Sequence, residues 1–172
     1  DLHSFPTRRS SDLAMLFAHI EGWQWRPDLI WYDNLRMFKS CSYYVQQMYA
    51  ANKGTNVLQM TMNKQPIAGQ EGQDGLFASS VFDKNTDEVI IKLINTSKQS
   101  QPVSIQLTGM KGERMAQTIT LSHNGMDDEN TLDNPEKITP KNGTLSLDAG
   151  KDATLLTDDI PAMSFRLYKV KK

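Results

Sequence analysis

The residues best suited to chemistry lie in one short aromatic segment. Nine of the 14 aromatic residues fall between Phe17 and Tyr49, including all three tryptophans. Trp23 and Trp25 are interleaved with Gln24, Arg26 and carboxylates. Flat rings stack on the C–H faces of sugars while polar groups bind the hydroxyls, so this pattern suits a saccharide pocket. The alternative is that the aromatic rings only pack the segment onto its own scaffold, as aromatic side chains commonly do.

Glu21 and Asp28 are the carboxylates within this segment that could form a pair. Glycoside hydrolysis uses two carboxyl groups about 5 to 10 Å apart across the scissile bond. Nothing in the spacing fixes such a pair, and acidic residues in loops usually contact solvent or backbone amides. We therefore expect neither residue to be catalytic.

The remaining candidates for metal binding or nucleophilic chemistry are isolated. His19 lies within an apolar run and is interpreted as a core histidine, and His123 has no partner nearby in sequence. Cys41 is the one cysteine and is interpreted as a small buried residue, so no metal site is predicted. The other acidic residues singled out are interpreted as mostly turn residues: Asp83, Asp87, Asp127, Asp128, Asp158 and Asp159.

Composition excludes several classes of protein. The chain has 172 residues, 19 basic and 20 acidic, and a formal net charge of -1. An electrostatic nucleic-acid binder would need a basic surplus, so no nucleic-acid partner is expected. One cysteine cannot form a disulfide framework, and no apolar run is long enough to span a bilayer.

Residues 1–13 (DLHSFPTRRSSDL) have neither helical nor strand periodicity. They match, residue for residue, one translated frame of a widely used sequencing adapter. We interpret them as an assembly artefact that is disordered as a peptide, and we expect the authentic sequence to begin near Ala14. A signal peptide, if the gene encodes one, would then lie upstream.

The segment 14–54 is predicted to be one β/α unit. Residues 14–20 (AMLFAHI) form an apolar run typical of a buried strand. Residues 21–39 are predicted to be a long aromatic loop, because Gly22 and Pro27 interrupt regular structure. Residues 42–53 have a helical apolar pattern, with Ser40 or Ser42 available to cap the start and Gly54 to end it.

The segment 55–172 is predicted to be an antiparallel β-sandwich, which makes the chain mainly β. Short runs with strand character recur between turn signals at the spacing of such folds. The predicted strands are 56–63, 76–82, 88–95, 103–108, 117–122, 144–147 and 163–170. The stretch 127–140 contains Pro135 and Pro140 and is predicted to be a loop.

The string LFAHIEGWQWRPDLIWYDNLRMFKSCSYYVQQMYAANKGTNV from Leu16 resembles the C-terminal part of family-51 glycoside hydrolases, the α-L-arabinofuranosidases. The later strings GLFASSVFD, EVIIKLINTS and IPAMSFRLYKV are similar to the same family, so the resemblance covers residues 14–172. Residues 38–41 depart from the Gly-Thr-Pro-like turn of the family. The matching positions are Trp25, Pro27, Asp28, Ile30, Asn34, Tyr43, Tyr44, Val45, Gln46, Gln47, Asn52, Lys53 and Gly54.

This resemblance implies a (β/α)₈ barrel followed by an antiparallel sandwich. Residues 14–20 would be the last barrel strand, 21–39 its βα-loop and 42–53 the final helix of a truncated barrel. Barrel active sites lie at the C-terminal ends of the strands, so the loop would border the sugar. The expected sugar contacts are Trp25 and Asp28, followed by Trp23 and Arg26.

The same resemblance implies a retaining glycosidase that uses two glutamates and no cofactor. Both glutamates are expected upstream of Ala14, so no catalytic residue is assigned here and the fragment is expected to be inactive. The expected partner is an arabinose-containing polysaccharide or oligosaccharide, and the expected location is periplasmic or extracellular. The alternative is a non-catalytic carbohydrate-binding or structural β-sandwich module.

Overall fold

The computed structural model describes most of the chain beyond residue 15. The described residues are 16–22, 28–62, 64–67, 75–110, 112, 115–123, 125, 127–150 and 153–172. The segment 1–13 and three of the predicted sugar contacts, Trp23, Trp25 and Arg26, lie outside them.

The described residues form fourteen strands and one helix, so the predicted mainly β class is confirmed. The first part contains β1 (Phe17–His19), β2 (Ile30–Tyr32), β3 (Met37–Lys39) and α1 (Cys41–Ala51). The second part contains β4 (Asn56–Leu58), β5 (Thr61–Met62), β6 (Gln65–Pro66), β7 (Leu76–Asp83), β8 (Glu88–Asn95), β9 (Gln101–Thr108), β10 (Met115–Ser122), β11 (Lys141–Ser146), β12 (Asp148–Ala149), β13 (Ala153–Ile160) and β14 (Ser164–Lys171).

One compact unit comprises residues up to 47 together with 129–139. Its sheet has the order β1-β2-β3, with β1 and β2 parallel and β2 and β3 antiparallel. The prediction of a loop over 21–39 is wrong at residues 30–32 and 37–39, which form β2 and β3. Ile30, Trp31 and Tyr32 are β-branched or aromatic, and these residue types favour a pleated strand.

Helix α1 begins after a side-chain cap and ends with another. The Ser40 hydroxyl accepts a hydrogen bond from the Tyr43 amide (3.2 Å), which identifies Ser40 rather than Ser42 as the cap. At the other end, the buried Asn52 side chain donates to the carbonyl of Met48 (2.7 Å). Gly54 lies three residues beyond the helix, where an added Cβ would lie 2.7 Å from the Val81 Cβ and 2.8 Å from the Phe82 carbonyl oxygen. Close approach of a strand therefore requires the glycine.

The second compact unit comprises residues 48–128 and 140–172. Its larger sheet has the order β11-β10-β14-β8-β7-β4, and every pairing in it is antiparallel. A three-stranded antiparallel sheet has the order β12-β13-β9. Strand β13 was not predicted from the sequence.

Side chains from both sheets form one hydrophobic core. Ile91 and Tyr168 from the larger sheet, and Leu107 and Leu156 from the smaller one, belong to the same buried cluster. Strand β8 is buried along most of its length, and this explains its largely apolar sequence.

A partly buried polar cluster links the two sheets. The Asp158 carboxylate accepts hydrogen bonds from Arg166 Nη2 (2.8 Å) and from the Tyr168 hydroxyl (2.7 Å), and Arg166 also donates to Thr120. The interpretation of Asp158 and Asp159 as turn residues is wrong, since both lie in β13. Burial, followed by the hydrogen bond to Asp158, raises the pKa of the Tyr168 hydroxyl above its usual range.

Candidate functional site

The C-terminal ends of β1 and β2 form one edge of the small sheet, because the two strands are parallel. His19 and Tyr32 are paired in register at this edge, and their rings meet edge to face with centroids 5.3 Å apart. The His19 Nδ1 accepts a hydrogen bond from the Glu21 amide (3.2 Å). His19 is half-buried at this edge, so its interpretation as a core histidine is wrong.

The turn between β2 and β3 is organised by Asp33. Its Oδ1 accepts hydrogen bonds from the amides of Leu35 (2.8 Å) and Arg36 (2.6 Å), and its Oδ2 accepts from the Arg36 guanidinium (3.0 Å). These amide hydrogen bonds, followed by the guanidinium, hold the pKa of Asp33 below its usual range. The carboxylate is therefore ionised at neutral pH and holds the turn.

A shallow depression lies over the exposed side of this hairpin. Tyr32 and Phe17 are partly exposed there, beside Asp33, Asn34 and Arg36. On the hairpin itself, the Trp31 and Phe38 rings stack with centroids 6.4 Å apart and planes 9° from parallel. The depression thus combines apolar surface with a carboxylate, an amide and a guanidinium.

Asp28, the described member of the predicted sugar contacts, lies at the opposite end of β2. Asp28 is only 3% exposed. Two residues later, the Ile30 amide donates a hydrogen bond to the Leu16 carbonyl (2.9 Å). Glu21 is exposed and follows the C-terminal end of β1. Asp28 and Glu21 thus lie at opposite ends of the parallel strands β1 and β2, and the fold does not bring the two carboxylates together.

Sequence reasoning did not select the residues of this edge. His19 meets Tyr32 only because β2 lies parallel to β1, and strand β2 was not predicted. Asp33 and Arg36 are joined to each other by the turn that follows β2. The run of β-branched and aromatic residues Ile30–Tyr32 before Asp33 was the signal that could have indicated a strand end.

The loop between β10 and β11 packs against the end of β3. Asn130 is 1% exposed, and its amide nitrogen donates to the carbonyls of Lys39 (2.8 Å) and Ile138 (2.9 Å). Its oxygen accepts from the Ile138 amide (2.7 Å). Arg36 makes a second contact to this loop through Asp133 (2.8 Å).

Other chemical sites find no support among the described residues. No group of three histidine, cysteine or acidic side chains is placed to hold a metal ion in the described ranges. Cys41 begins α1 and is half-buried rather than buried, and burial raises the pKa of its thiol. Within the same ranges, the helix is too short to cross a membrane.

Comparison with known sequences decides the family. The family model described as "Alpha-L-arabinofuranosidase C-terminal domain" matches residues 9–164. This chain belongs to the α-L-arabinofuranosidase C-terminal domain family. The resemblance in the sequence to family-51 arabinofuranosidases is thereby confirmed. The match begins within residues 1–13, whose origin as an artefact stays a prediction.

Relatives of this α-L-arabinofuranosidase C-terminal domain include plant and fungal proteins. Alpha-L-arabinofuranosidase 1 of Arabidopsis thaliana is 29% identical over 163 residues, covering 91% of this chain and 23% of that protein. Alpha-L-arabinofuranosidase A of Aspergillus kawachii (strain NBRC 4308) is 27% identical over 150 residues, covering 83% and 22%. The chain thus spans less than a quarter of the length of these curated relatives.

Solved structures share the fold of the family. The arabinose-bound α-L-arabinofuranosidase MgGH51 matches with a TM-score of 0.76 and 25% identity, over 92% of this chain and 23% of that one. An arabinose complex of the α-L-arabinofuranosidase from Thermotoga maritima matches with a TM-score of 0.64 and 16% identity, over 84% and 32%. The second likeness concerns the fold alone.

Proposed function

We propose that this chain is the C-terminal part of a retaining α-L-arabinofuranosidase. The complete enzyme releases terminal arabinofuranosyl units from arabinoxylan, arabinan or their oligosaccharides without a cofactor. The observation that carries the proposal is the family match over residues 9–164. The likeness to an arabinose-bound enzyme supports the substrate class.

The proposed architecture is the last part of a (β/α)₈ barrel followed by a β-sandwich. Parallel pairing of β1 and β2, with α1 following directly after β3, is consistent with a barrel remnant. Two antiparallel sheets that share one core support the sandwich. The predicted boundary near Gly54 stays a prediction.

In this proposal the sugar lies against the C-terminal edge of β1 and β2. His19, Tyr32, Asp33 and Arg36 border that edge, and Trp23, Trp25 and Arg26 remain predicted contacts. The position of Asp28 at the N-terminal end of β2 supports a role in holding the strand, since that end of a barrel serves stability.

The two catalytic glutamates lie upstream of Ala14 in this proposal. Glu21 does not replace either of them, because it is exposed and the Asp33 carboxylate at the same edge is held by the turn amides and by Arg36. The purified chain is therefore expected not to hydrolyse an aryl α-L-arabinofuranoside. Measurable turnover by a sample free of host glycosidase would refute the truncation.

The alternative of a carbohydrate-binding module for residues 55–172 is not favoured by the exposure of its aromatic rings. The four rings of this half are those of Phe77, Phe82, Phe165 and Tyr168. Phe165 and Tyr168 are buried and only Phe77 is largely exposed, so a stacking platform is not formed. In affinity electrophoresis through arabinoxylan we expect no retardation, and retardation would support the binding module.

A further inference from the structure

Most of the loop between β10 and β11 belongs to a different compact unit from the two strands that flank it. Its flanking strands lie in the six-stranded sheet, but residues 129–139 cluster with residues up to 47. A connection between adjacent antiparallel strands needs only a few residues. The 18 residues between Ser122 and Lys141 therefore exceed what the connection itself requires.

Asn130 holds this loop to the hairpin of β2 and β3. The two hydrogen bonds exchanged with Ile138 close the loop on itself, and the bond donated to the Lys39 carbonyl attaches it to the last residue of β3. Ile138 is 2% exposed, so the hydrogen bonds between Asn130 and its backbone are shielded from solvent. A buried amide with these bonds is costly to disturb, because its partners cannot turn to water.

Lys39, to which the loop is attached, lies next to both strand β2 and the start of helix α1. Lys39 is paired with Ile30 at the start of β2, and it precedes Ser40, which caps α1. The Ser40 amide donates to the Leu29 carbonyl (2.9 Å), which closes the same end of the hairpin. Fixing Lys39 therefore fixes the direction in which β2 and β3 lead to the turn at Asp33.

We propose that Asn130 is a positioning residue: through Lys39 it sets the β2–β3 hairpin, whose turn borders the sugar edge. This role for the turn rests on the proposed function. The salt bridge between Arg36 and Asp133 is a secondary contact, because the Asp133 side chain is 92% exposed and surface ion pairs contribute little.

Hydrogen exchange of the whole chain, followed by mass spectrometry, tests the positioning without requiring activity. In Asn130→Asp the donated bonds are lost, and we expect amide exchange across residues 30–40 to rise about tenfold. Exchange across residues 88–95 should not change. Asn130→Ala removes the same donors without adding charge, and it decides the matter if the aspartate variant does not fold.

Asn95→Asp is the matched control. Asn95 is also 1% exposed, and its amide donates to the carbonyls of Gln99 (2.8 Å), Ile160 (3.1 Å) and Pro161 (3.0 Å). This variant should increase exchange around residues 96–101 but not at 30–40. Unchanged exchange at 30–40 in both Asn130 variants, or an equal rise across 88–95, would overturn the proposal.

The link to the sugar is tested in the enzyme completed by its upstream region. We expect Asn130→Ala to raise KM for an aryl arabinofuranoside several-fold while kcat stays within twofold, because the catalytic glutamates are elsewhere. An unchanged KM despite faster exchange would overturn the link to the sugar. If the completed wild-type protein has no activity, the proposed function fails, and the exchange result still decides the positioning.

Discussion

At the residue scale, Asp158 shows how a charged side chain is accommodated between two sheets. Its Oδ2 accepts bonds from Arg166 Nε (3.1 Å) and Nη2 (2.8 Å) and from the Tyr168 hydroxyl (2.7 Å). The Asp158 side chain is 14% exposed and that of Arg166 18%. Solvent therefore compensates little for a lost partner.

The substitution Asp158→Asn should lower the free energy of unfolding by about 2–3 kcal/mol, because it leaves the Arg166 guanidinium without its counter-charge. Chemical denaturation of the purified chain measures this change. Asp159→Asn is the control: Asp159 is the exposed neighbour on β13, and its loss should change stability by less than about 0.5 kcal/mol. Equal effects of the two substitutions would contradict the account.

Lys92 is a buried charge, and no carboxylate in the described part of the chain forms an ion pair with it. It is 6% exposed in the middle of β8, with its Nζ 4.8 Å from the centre of the Tyr49 ring. Burial lowers the pKa of this amine, so the surroundings disfavour the ammonium form despite the aromatic ring. The Tyr49 ring itself stacks on Phe165 at 5.0 Å.

Replacing Lys92 by Met should raise the melting temperature at pH 7 by a few degrees, because a desolvated charge is removed and the volume is kept. The unfolded chain binds this proton more tightly than the folded chain. Wild-type stability should therefore rise with pH between the lowered folded-state pKa and the ordinary lysine value of about 10.4. The advantage of Lys92→Met should shrink over that window. A variant less stable than wild type at pH 7 would show that the amine is favourably bound.

At the scale of elements, the sequence offered Ser40 and Ser42 equally as the N-cap of α1, and the structure identifies Ser40. Ser40→Ala removes the bond to the Tyr43 amide and should lower the free energy of unfolding by about 1 kcal/mol. Ser42 lies inside the helix and is exposed, so Ser42→Ala should be neutral or slightly stabilising. Thermal unfolding followed by circular dichroism measures both. A larger loss for Ser42→Ala would contradict this assignment of the cap.

A substitution at Gly54 tests the close contact between the segment after α1 and strand β7. Gly54→Ala places a methyl group against the Val81 side chain and the Phe82 backbone, and it should lower the free energy of unfolding by about 1–3 kcal/mol. Gly22→Ala is the control, because its nearest neighbour is the His19 Cβ at 3.9 Å. Equal changes in the free energy of unfolding for the two substitutions would contradict the close approach at residue 54.

The elements predicted from the sequence are those whose local pattern agrees with their burial. Strand β8 was predicted with its observed bounds, since its apolar run reflects burial on both faces. The helix predicted at 42–53 is observed at Cys41–Ala51. Strand β13 was missed because its inward positions include Thr154 and Asp158, and only Arg166 and Tyr168 from another strand make Asp158 acceptable there.

The candidate site was less predictable than the fold because it depends on pairing between distant segments. The aromatic segment was located, but the edge formed by His19 and Tyr32 depends on the parallel register of β1 and β2. The contact of Asn130 with Lys39 joins residues 91 positions apart. No local pattern around Asn130 indicates such a contact.

At the scale of the whole molecule, the chain corresponds to less than a quarter of its curated relatives. The proposed division of labour places the bond-breaking glutamates upstream, while this part supplies one border of the sugar site and a β-rich domain. The family match concerns the C-terminal domain, so it agrees with this division without assigning a catalytic residue here.

The most direct test compares hydrolysis of an aryl α-L-arabinofuranoside by two proteins. One is this chain alone, and the other is the same chain joined to the upstream coding sequence of its gene. We expect no turnover by the chain alone, and turnover with retention of configuration by the completed protein that is lost when either of two upstream glutamates is replaced by glutamine. Turnover by the chain alone, or a completed protein that leaves arabinofuranosides intact, would contradict the account.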